Sequence, residues 1–337
     1  IMDSTVPRAA TPQRGSCTIS HHPAALAPAD APEAFLEEVV EGLSATPKFL
    51  SPKWLYDERG SELFDGITEV AAYYPTRVET SIMRESVAEM ADVAGAGSVL
   101  IEYGSGSSVK TRVLLERMRD LSAYVPIDIS PAALRQAKDR INARFAQLRV
   151  LPVCADFSQP FALPGEIKGR PRLGFFPGST IGNLERGDAI ALLESMAQSL
   201  GSGSRLIIGV DLKKDVRRLI RAYDDEAGVT AAFNLNLLKR ANRELGADFD
   251  VSQFDHLATW NEKQGRIEIY LVSQADQAVA VQGRRFRFAA GERIHTEHSH
   301  KYDVEGFHAL AGEAGWRPLT VWTDPEKLFS VHVLEAA

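Results

Sequence analysis
The stretch "LIEYGSGSSVKTR", residues 100–112, ends an apolar run at Glu102 and sets Gly104 and Gly106 around Ser105 before a helical pattern begins. Glycines at such a turn let the backbone bend tightly and come close to a ligand. One strand–helix–strand unit later, "YVPID" ends in Asp128, a carboxylate placed to accept hydrogen bonds from ribose hydroxyls. "CADF" closes the next apolar run with Asp156 and Phe157, an acceptor for an adenine amino group and a ring to flank the base. Any one of these acids has a plain surface-residue explanation, whereas three strand ends in register point to a nucleoside. The dinucleotide fingerprint needs a third glycine where Val109 stands, so S-adenosylmethionine suits the pattern better than a nicotinamide cofactor.

A second chemical stretch is "IHTEHSHK", residues 294–301. Side chains alternate along a strand. That places His295, Glu297 and Ser299 on one face and His298 and His300 on the other. Zinc bound by the three histidines is one reading and a polar edge strand is another. No cysteine or carboxylate cluster completes a zinc set, so no metal is expected. Asn183 in "GSTIGNL" is either a turn or cap residue or a side-chain acceptor in a site.

These residues need elements to position them. "SVLIEYGSG", "AYVPIDIS", "LRVLPVCADFS", "RLGFFPGSTIGNL" and "SRLIIGVDLKKD" read as five apolar strands. Helical patterns separate them: Val109 to Met118, a helix capped by Ser130 with Pro131 in its first position, and "GDAIALLESMAQSLG". Apolar strands alternating with helices form a parallel sheet covered on both faces. After Asp215 the rhythm breaks into a helix, "AAFNLNLLKRANREL", and the alternating strands of "FDHLATWNEKQGRIEIYLVSQ" and "RRFRFAAGERIHTEHSHKY". A helix in "DVEGFHALAGEAGW" and a two-strand hairpin turning at Asp324–Pro325 close the chain. The fold class expected is α/β: a class I methyltransferase, Rossmann-like sheet of parallel strands with an antiparallel C-terminal strand, and a second α+β lobe. "APEAFLEEVVEGLSA", with Phe35, Val39, Val40 and Leu43 on one face, and a helix from Thr76 to Glu85 precede the sheet. The division read is a disordered tail over 1–28, a substrate lobe over 29–78 and 213–303, and a cofactor domain over 79–212 and 304–337.

The 337 residues are 45% hydrophobic and 25% charged, enough for a large core, and the net charge of −7 argues against a broad nucleic-acid footprint. Two cysteines, Cys17 and Cys154, fit a reducing compartment. No apolar run spans a bilayer and no signal-peptide order is seen, so a cytoplasmic monomer without a membrane or nucleic-acid partner is expected.

The segments "PKWLYDERGSELFDGITEVAAYYPTR", "YGSGSSVKTR", "YVPIDIS", "ADF", "GSTIGNL", "AYDDEAGVTAAFNLNLLKRANRELGADFD" and "TEHSHKY" occur in this order from about residue 30 to the C-terminus. Together they resemble the histidine-specific, S-adenosylmethionine-dependent N-methyltransferases of ergothioneine biosynthesis. The resemblance implies trimethylation of the α-amino group of histidine, a small-molecule substrate, to hercynine. It implies cofactor contacts at Tyr74, Gly104, Lys110, Asp128, Asp156 and Phe157. It implies amino-acid contacts at Tyr56, Tyr74, Gly178, Asn183, Tyr223, Glu297 and Ser299, with Asn183 and Tyr56 catalytic. Tyr103 departs from the pattern, where a small aliphatic residue is the rule before the glycine turn.

The chemistry agrees with these types. In-line methyl transfer needs a positioned, neutral amine rather than a strong base. Asn183 can hold the amine by its carbonyl, Tyr74 and Tyr223 can serve the substrate carboxylate, and Glu297 with Ser299 can serve the two imidazole nitrogens. Three rivals stay open: methylation of another aromatic amino acid such as tryptophan or a derivative, a nicotinamide dehydrogenase, and a non-catalytic cofactor-binding protein.

Overall fold
The computed structural model describes residues 32–337 except 106–108, 129–130, 156 and 158–160. The expectations for the tail, Gly106, the Ser130 cap and Asp156 fall outside the described residues.

The chain begins with α1 (Pro32–Ser44), a two-residue strand β1 (Lys48–Phe49) and α2 (Glu58–Glu69). Asp57 starts α2 by accepting the Gly60 N–H at 2.7 Å, as an N-cap carboxylate does. Helix α3 (Pro75–Ala94) has proline in its first turn, where a missing N–H costs nothing. The expected lobe boundary at 78/79 lies inside this helix.

The cofactor domain follows as β2 (Val99–Tyr103), α4 (Val109–Arg117), β3 (Ala123–Asp128), α5 (Pro131–Arg144), β4 (Val153–Cys154), β5 (Arg172–Phe176), α6 (Arg186–Leu200) and β6 (Arg205–Asp211). Next come α7 (Val216–Tyr223), α8 (Val229–Leu245) and the strands β7 (Phe254–Asn261), β8 (Arg266–Ser273), β9 (Gln277–Val281), β10 (Arg284–Phe288) and β11 (Arg293–His300). Helix α9 (Val304–Glu313) and the hairpin β12 (Trp316–Thr323) and β13 (Phe329–Ala336) complete the chain.

Seven strands form one sheet in the order β12-β13-β6-β5-β2-β3-β4. Strands β2 to β6 run parallel, and β13 pairs antiparallel with both β6 and β12. The period of two is visible in the core. Val99, Ile101 and Tyr103 pack with α6 and α9 on one face, while Leu100, Tyr124 and Ile207 pack with α3 and α4 on the other. The third apolar run yields only Val153–Cys154 at the sheet edge, joined by a lone bridge from Val150 to Tyr124. Pro152 lacks the N–H a longer ladder requires.

A second sheet, β1-β11-β8-β7, packs on α1 and α8 around Phe35, Trp54, Phe233, Leu237 and Leu271. The hairpin β9–β10 was not foreseen from sequence. Its turn, Gln282–Gly283, has φ of 46° and 82°, the left-handed pair that matches hairpin twist. The loop after β5 meets β11, and this is where the two sheets share side chains.

Candidate active site
Parallel register levels the carboxyl ends of the sheet: Tyr103 lies beside Ile127 and Asp128 beside Cys154. Gly104 leaves β2 at φ 80°, a conformation that favours glycine, and its N–H donates to Ile127 O at 3.0 Å. Among the described residues nothing stands within 4 Å of where a Cβ on Gly104 would lie, so the turn is open on that side. Helix α4 is pinned beneath it, because Thr111 Oγ1 donates to Glu102 Oε1 at 2.6 Å and the Tyr124 hydroxyl donates to the same carboxylate. Burial pushes Glu102 up to about 7. Asp128 is buried at its strand end.

Lys110 is held by a residue the sequence did not suggest. Its ammonium pairs with Glu79, a buried carboxylate on α3, and the same carboxylate accepts the Gly178 N–H at 2.9 and 3.0 Å. Phe157 lies with its ring edge-on to Tyr103 (5.9 Å) and Phe176 (6.1 Å), inside the aromatic core. Tyr103, the departure from the family pattern, therefore fills core space beneath the glycine turn, and its hydroxyl reaches Ser199 Oγ at 2.9 Å.

The amino-acid residues converge between β6, β11 and the loop after β5. Tyr74 donates to Asp211, whose oxygens lie 2.9 and 2.8 Å from its hydroxyl, and it accepts from Lys214 at 2.5 Å. Its single proton is thus spent on Asp211 and is not free for a substrate carboxylate. Asp211 also meets Lys214 and Lys301, each at 2.6 Å. Burial alone would raise the Asp211 carboxyl, but the two ammoniums hold it below the usual range. Burial lowers Lys214 to about 8 against the pull of Asp211. Lys301 reaches onward to Tyr223 Oη at 2.7 Å and Ser299 Oγ at 2.8 Å. Asn183, in a short 3-10 turn, donates Nδ2 to Glu297 Oε1 at 3.2 Å. Burial drives Glu297 up to about 7, with Lys301 opposing. Tyr56 packs against Phe64 and Phe233, and burial followed by the Glu297 charge raises its phenol well above the ordinary value. Gly178 is tied to Glu79, and its neighbour Ser179 accepts the Asp211 N–H at 2.9 Å.

The histidine faces differ from strict alternation. His295 pairs with Tyr270 and Glu297 with Ile269, so Thr296 is an extra residue, a β-bulge. The bulge turns His295 to the side of His298 and His300: His295 stacks on His298 at 5.6 Å, and His298 meets His300 at 5.2 Å. Glu297 and Ser299 keep a face without it. The carboxylate that the histidine face itself lacks comes from Glu185, whose oxygen lies within 4.8 Å of the His298 and His300 nitrogens. Arg266 stands in that cluster, 2.5 Å from Glu185 and 3.4 Å from His300 Nε2. Burial, with Arg266 adding to it, lowers His298 to about 3.

Sequence reasoning missed Asp211, Lys301, Lys214, Glu79 and Tyr73, whose ring meets that of Tyr223 edge-on at 5.9 Å. Two of these carried a signal. Asp211 ends a strand at the same sheet edge as Asp128, and Lys301 follows Glu297 and Ser299 at a spacing of two. Lys214, Glu79 and Tyr73 have no such mark.

The family model for histidine-specific, S-adenosylmethionine-dependent methyltransferases matches residues 35–336. The chain is 46% identical over 313 residues to the histidine N-alpha-methyltransferase of Mycolicibacterium smegmatis, covering 91% of this chain and 97% of that one. It is 43% identical over 297 residues to the protein of the same name from Mycobacterium tuberculosis, covering 86% and 91%. It is 29% identical over 295 residues to ergothioneine biosynthesis protein 1 of Neurospora crassa, covering 86% of this chain and 33% of that protein. With nearly its whole length matched, this chain belongs to the histidine-specific, S-adenosylmethionine-dependent methyltransferases.

Proposed function
We propose that this enzyme trimethylates the α-amino group of L-histidine to hercynine, within ergothioneine biosynthesis, at the site formed by Asn183, Tyr56, Tyr223, Glu297 and Ser299. The relatives named as histidine N-alpha-methyltransferases and as an ergothioneine biosynthesis protein support the reaction. The Asn183–Glu297 hydrogen bond carries the site assignment. It sets an amide beside the face that bears Glu297 and Ser299, so one small pocket offers groups for both an amine and an imidazole.

The open turn at Gly104 and the buried Asp128 carboxylate suit the nucleoside end of S-adenosylmethionine, and Lys110, Asp156 and Phe157 are proposed to complete its contacts. When bound, the cofactor supplies a methyl group on a sulfonium sulfur. The chain's task is to hold a neutral amine on the line of transfer. An α-amino group with a pKa of about 8 has a minor neutral fraction at pH 7. Asn183 spends its Nδ2 on Glu297, which leaves Oδ1 to accept an amine N–H and fix the direction of the lone pair. An amide carbonyl is not consumed, so it accepts an N–H in the first two transfers; the tertiary amine of the third carries no N–H and is held through its carboxylate and ring. The rings of Tyr56, Tyr73 and Tyr223 border the site and favour the growing ammonium by cation–π attraction of about 0.5–2 kcal/mol. Tyr223 Oη accepts from Lys301 and lies 3.2 Å from Ser299 Oγ, so the two hydroxyls leave one O–H between them for the pocket, while Tyr74 acts through Asp211 and Lys214. Glu297 accepts the imidazole N–H and Ser299 serves the other ring nitrogen.

The two lobes, 29–78 with 213–303 and 79–212 with 304–337, are proposed to close over the amino acid. Among the described residues no helix is long and apolar enough to cross a membrane. A cytoplasmic monomer is proposed, and the net charge of −7 fits a protein that binds no nucleic acid. The test is a one-pot incubation with S-adenosylmethionine and all common amino acids, read by mass spectrometry. Trimethylhistidine as sole product is expected, and methylated tryptophan instead would overturn the pocket assignment.

A further inference from the structure
We propose that Lys301 is a positioning residue that sets the direction of hydrogen bonding in the imidazole pocket, and through it the preference for a ring with one donor and one acceptor nitrogen. This role rests on the histidine reading above. The Lys301 side chain is fully buried, and its ammonium has three protons and no acceptor. It has three partners at hydrogen-bond distance: Asp211 Oδ2 at 2.6 Å, Tyr223 Oη at 2.7 Å and Ser299 Oγ at 2.8 Å. Every donor is used. Both hydroxyl oxygens therefore receive a proton from Lys301, and each hydroxyl has only its own proton left to give. The two oxygens lie 3.2 Å apart, so one hydroxyl donates to the other. Whichever way that bond runs, one O–H remains for the pocket, and it is a donor.

Two residues before Ser299 on the same face stands Glu297, an acceptor when ionised. The face thus presents a donor next to an acceptor. A neutral imidazole matches this with its bare nitrogen and its N–H. An indole offers only an N–H, and a thiophene offers neither, so both leave a buried polar group unpaired. Without the ammonium, the Tyr223 and Ser299 hydroxyls are free to satisfy each other in either sense or to accept from the ligand, and the pocket loses its fixed polarity. Asp211 keeps the ammonium in place, so the selection of the ring reaches back to the end of β6.

The experiment compares L-histidine with β-(2-thienyl)-L-alanine, a five-membered ring without ring nitrogens, in wild type and Lys301→Met, with S-adenosylhomocysteine binding by calorimetry as the check on folding. Wild type is expected to prefer histidine by at least about a hundredfold in kcat/KM, and Lys301→Met by no more than about tenfold, with cofactor-product affinity kept. The pH at which the histidine KM falls should also move upward in Lys301→Met, since the ammonium no longer favours the Glu297 anion. A purely structural role would lower both substrates equally and leave the ratio and that pH unchanged, which overturns the inference. Wild type that does not methylate histidine overturns the functional reading instead. Should Lys301→Met fail to bind S-adenosylhomocysteine, Ser299→Ala carries the test, because it removes the hydroxyl and leaves the Lys301–Asp211 pair. The same collapse of the ratio supports the role, and an unchanged ratio rejects it.

Discussion
Asn183, in the turn after β5, donates its side-chain Nδ2 to Glu297 Oε1 on β11 at 3.2 Å. A carboxylate only accepts, so the bond turns Nδ2 toward Glu297, and the proposed amine contact falls to the carbonyl. Asn183→Ala removes that carbonyl and the link between the loop and the strand. A fall in kcat/KM for histidine of about a hundredfold is expected, or about 2.7 kcal/mol of transition-state stabilisation. S-adenosylhomocysteine binding by calorimetry should stay within about threefold. A parallel loss of that affinity would move Asn183 into the cofactor site.

The acceptor role of Glu297 requires its anion, and burial raises this carboxyl from 4.5 to about 7. The competent fraction grows as pH rises from 6 to 8, so kcat/KM for histidine should climb with an apparent pKa near 7. Glu297→Gln should lose that step and keep only the rise due to the α-amino group. The same shift sets a stability trend. A carboxyl whose folded pKa is raised stabilises the fold below its ordinary pKa, and this is lost as pH rises through 7. The melting temperature of Glu297→Gln should therefore gain on wild type between pH 5.5 and pH 8, as scanning calorimetry at the two values would show.

Among the described residues Asp211 is the one carboxylate facing Lys214 and Lys301 at hydrogen-bond distance, and it is fully buried. Asp211→Asn leaves two buried ammoniums without their hydrogen-bonded counter-charge. Breaking a buried pair in this way costs roughly 3–5 kcal/mol, a fall of on the order of 10 °C in melting temperature. Adding Lys214→Met removes one of the stranded charges and should restore part of that loss. A double variant no more stable than Asp211→Asn would show that Lys214 is not burdened by the missing anion.

The cofactor edge was legible because buried parallel strands are continuous apolar runs, and their ends are marked by Gly104 and Asp128. Asp211 obeys the same rule, but the strand read in "SRLIIGVDLKKD" runs four residues past it, so it is not marked there as a strand end. On β11 the alternation placed Glu297 and Ser299 together but misplaced His295, since one extra residue at Thr296 leaves no trace in composition. Lys301 kept the spacing, yet a lone lysine after a strand is usually a surface residue. Glu79 and Lys214 reach the site from other elements, and only tertiary packing decides their partners.

Gly182 and Gly187 lie five residues apart and should respond oppositely to the same methyl group. A Cβ on Gly182 would stand 2.7 Å from the backbone oxygen of His300 and 3.5 Å from Ser299 Oγ. A backbone carbonyl in a paired strand cannot swing aside as a long side chain can, so β11 must shift. Gly182→Ala should cost about 1–3 kcal/mol and raise the histidine KM by roughly tenfold, as Ser299 and Glu297 move from the Asn183 loop. Gly187 lies in the first turn of α6, and a Cβ there meets nothing within 4 Å. Gly187→Ala should stabilise the protein by roughly 0.4–1 kcal/mol through the lower entropy of the unfolded chain, with KM unchanged. Thermal melts and steady-state kinetics on the pair separate the two effects. Equal responses would mean that the loop and β11 are not in the close contact that builds the pocket.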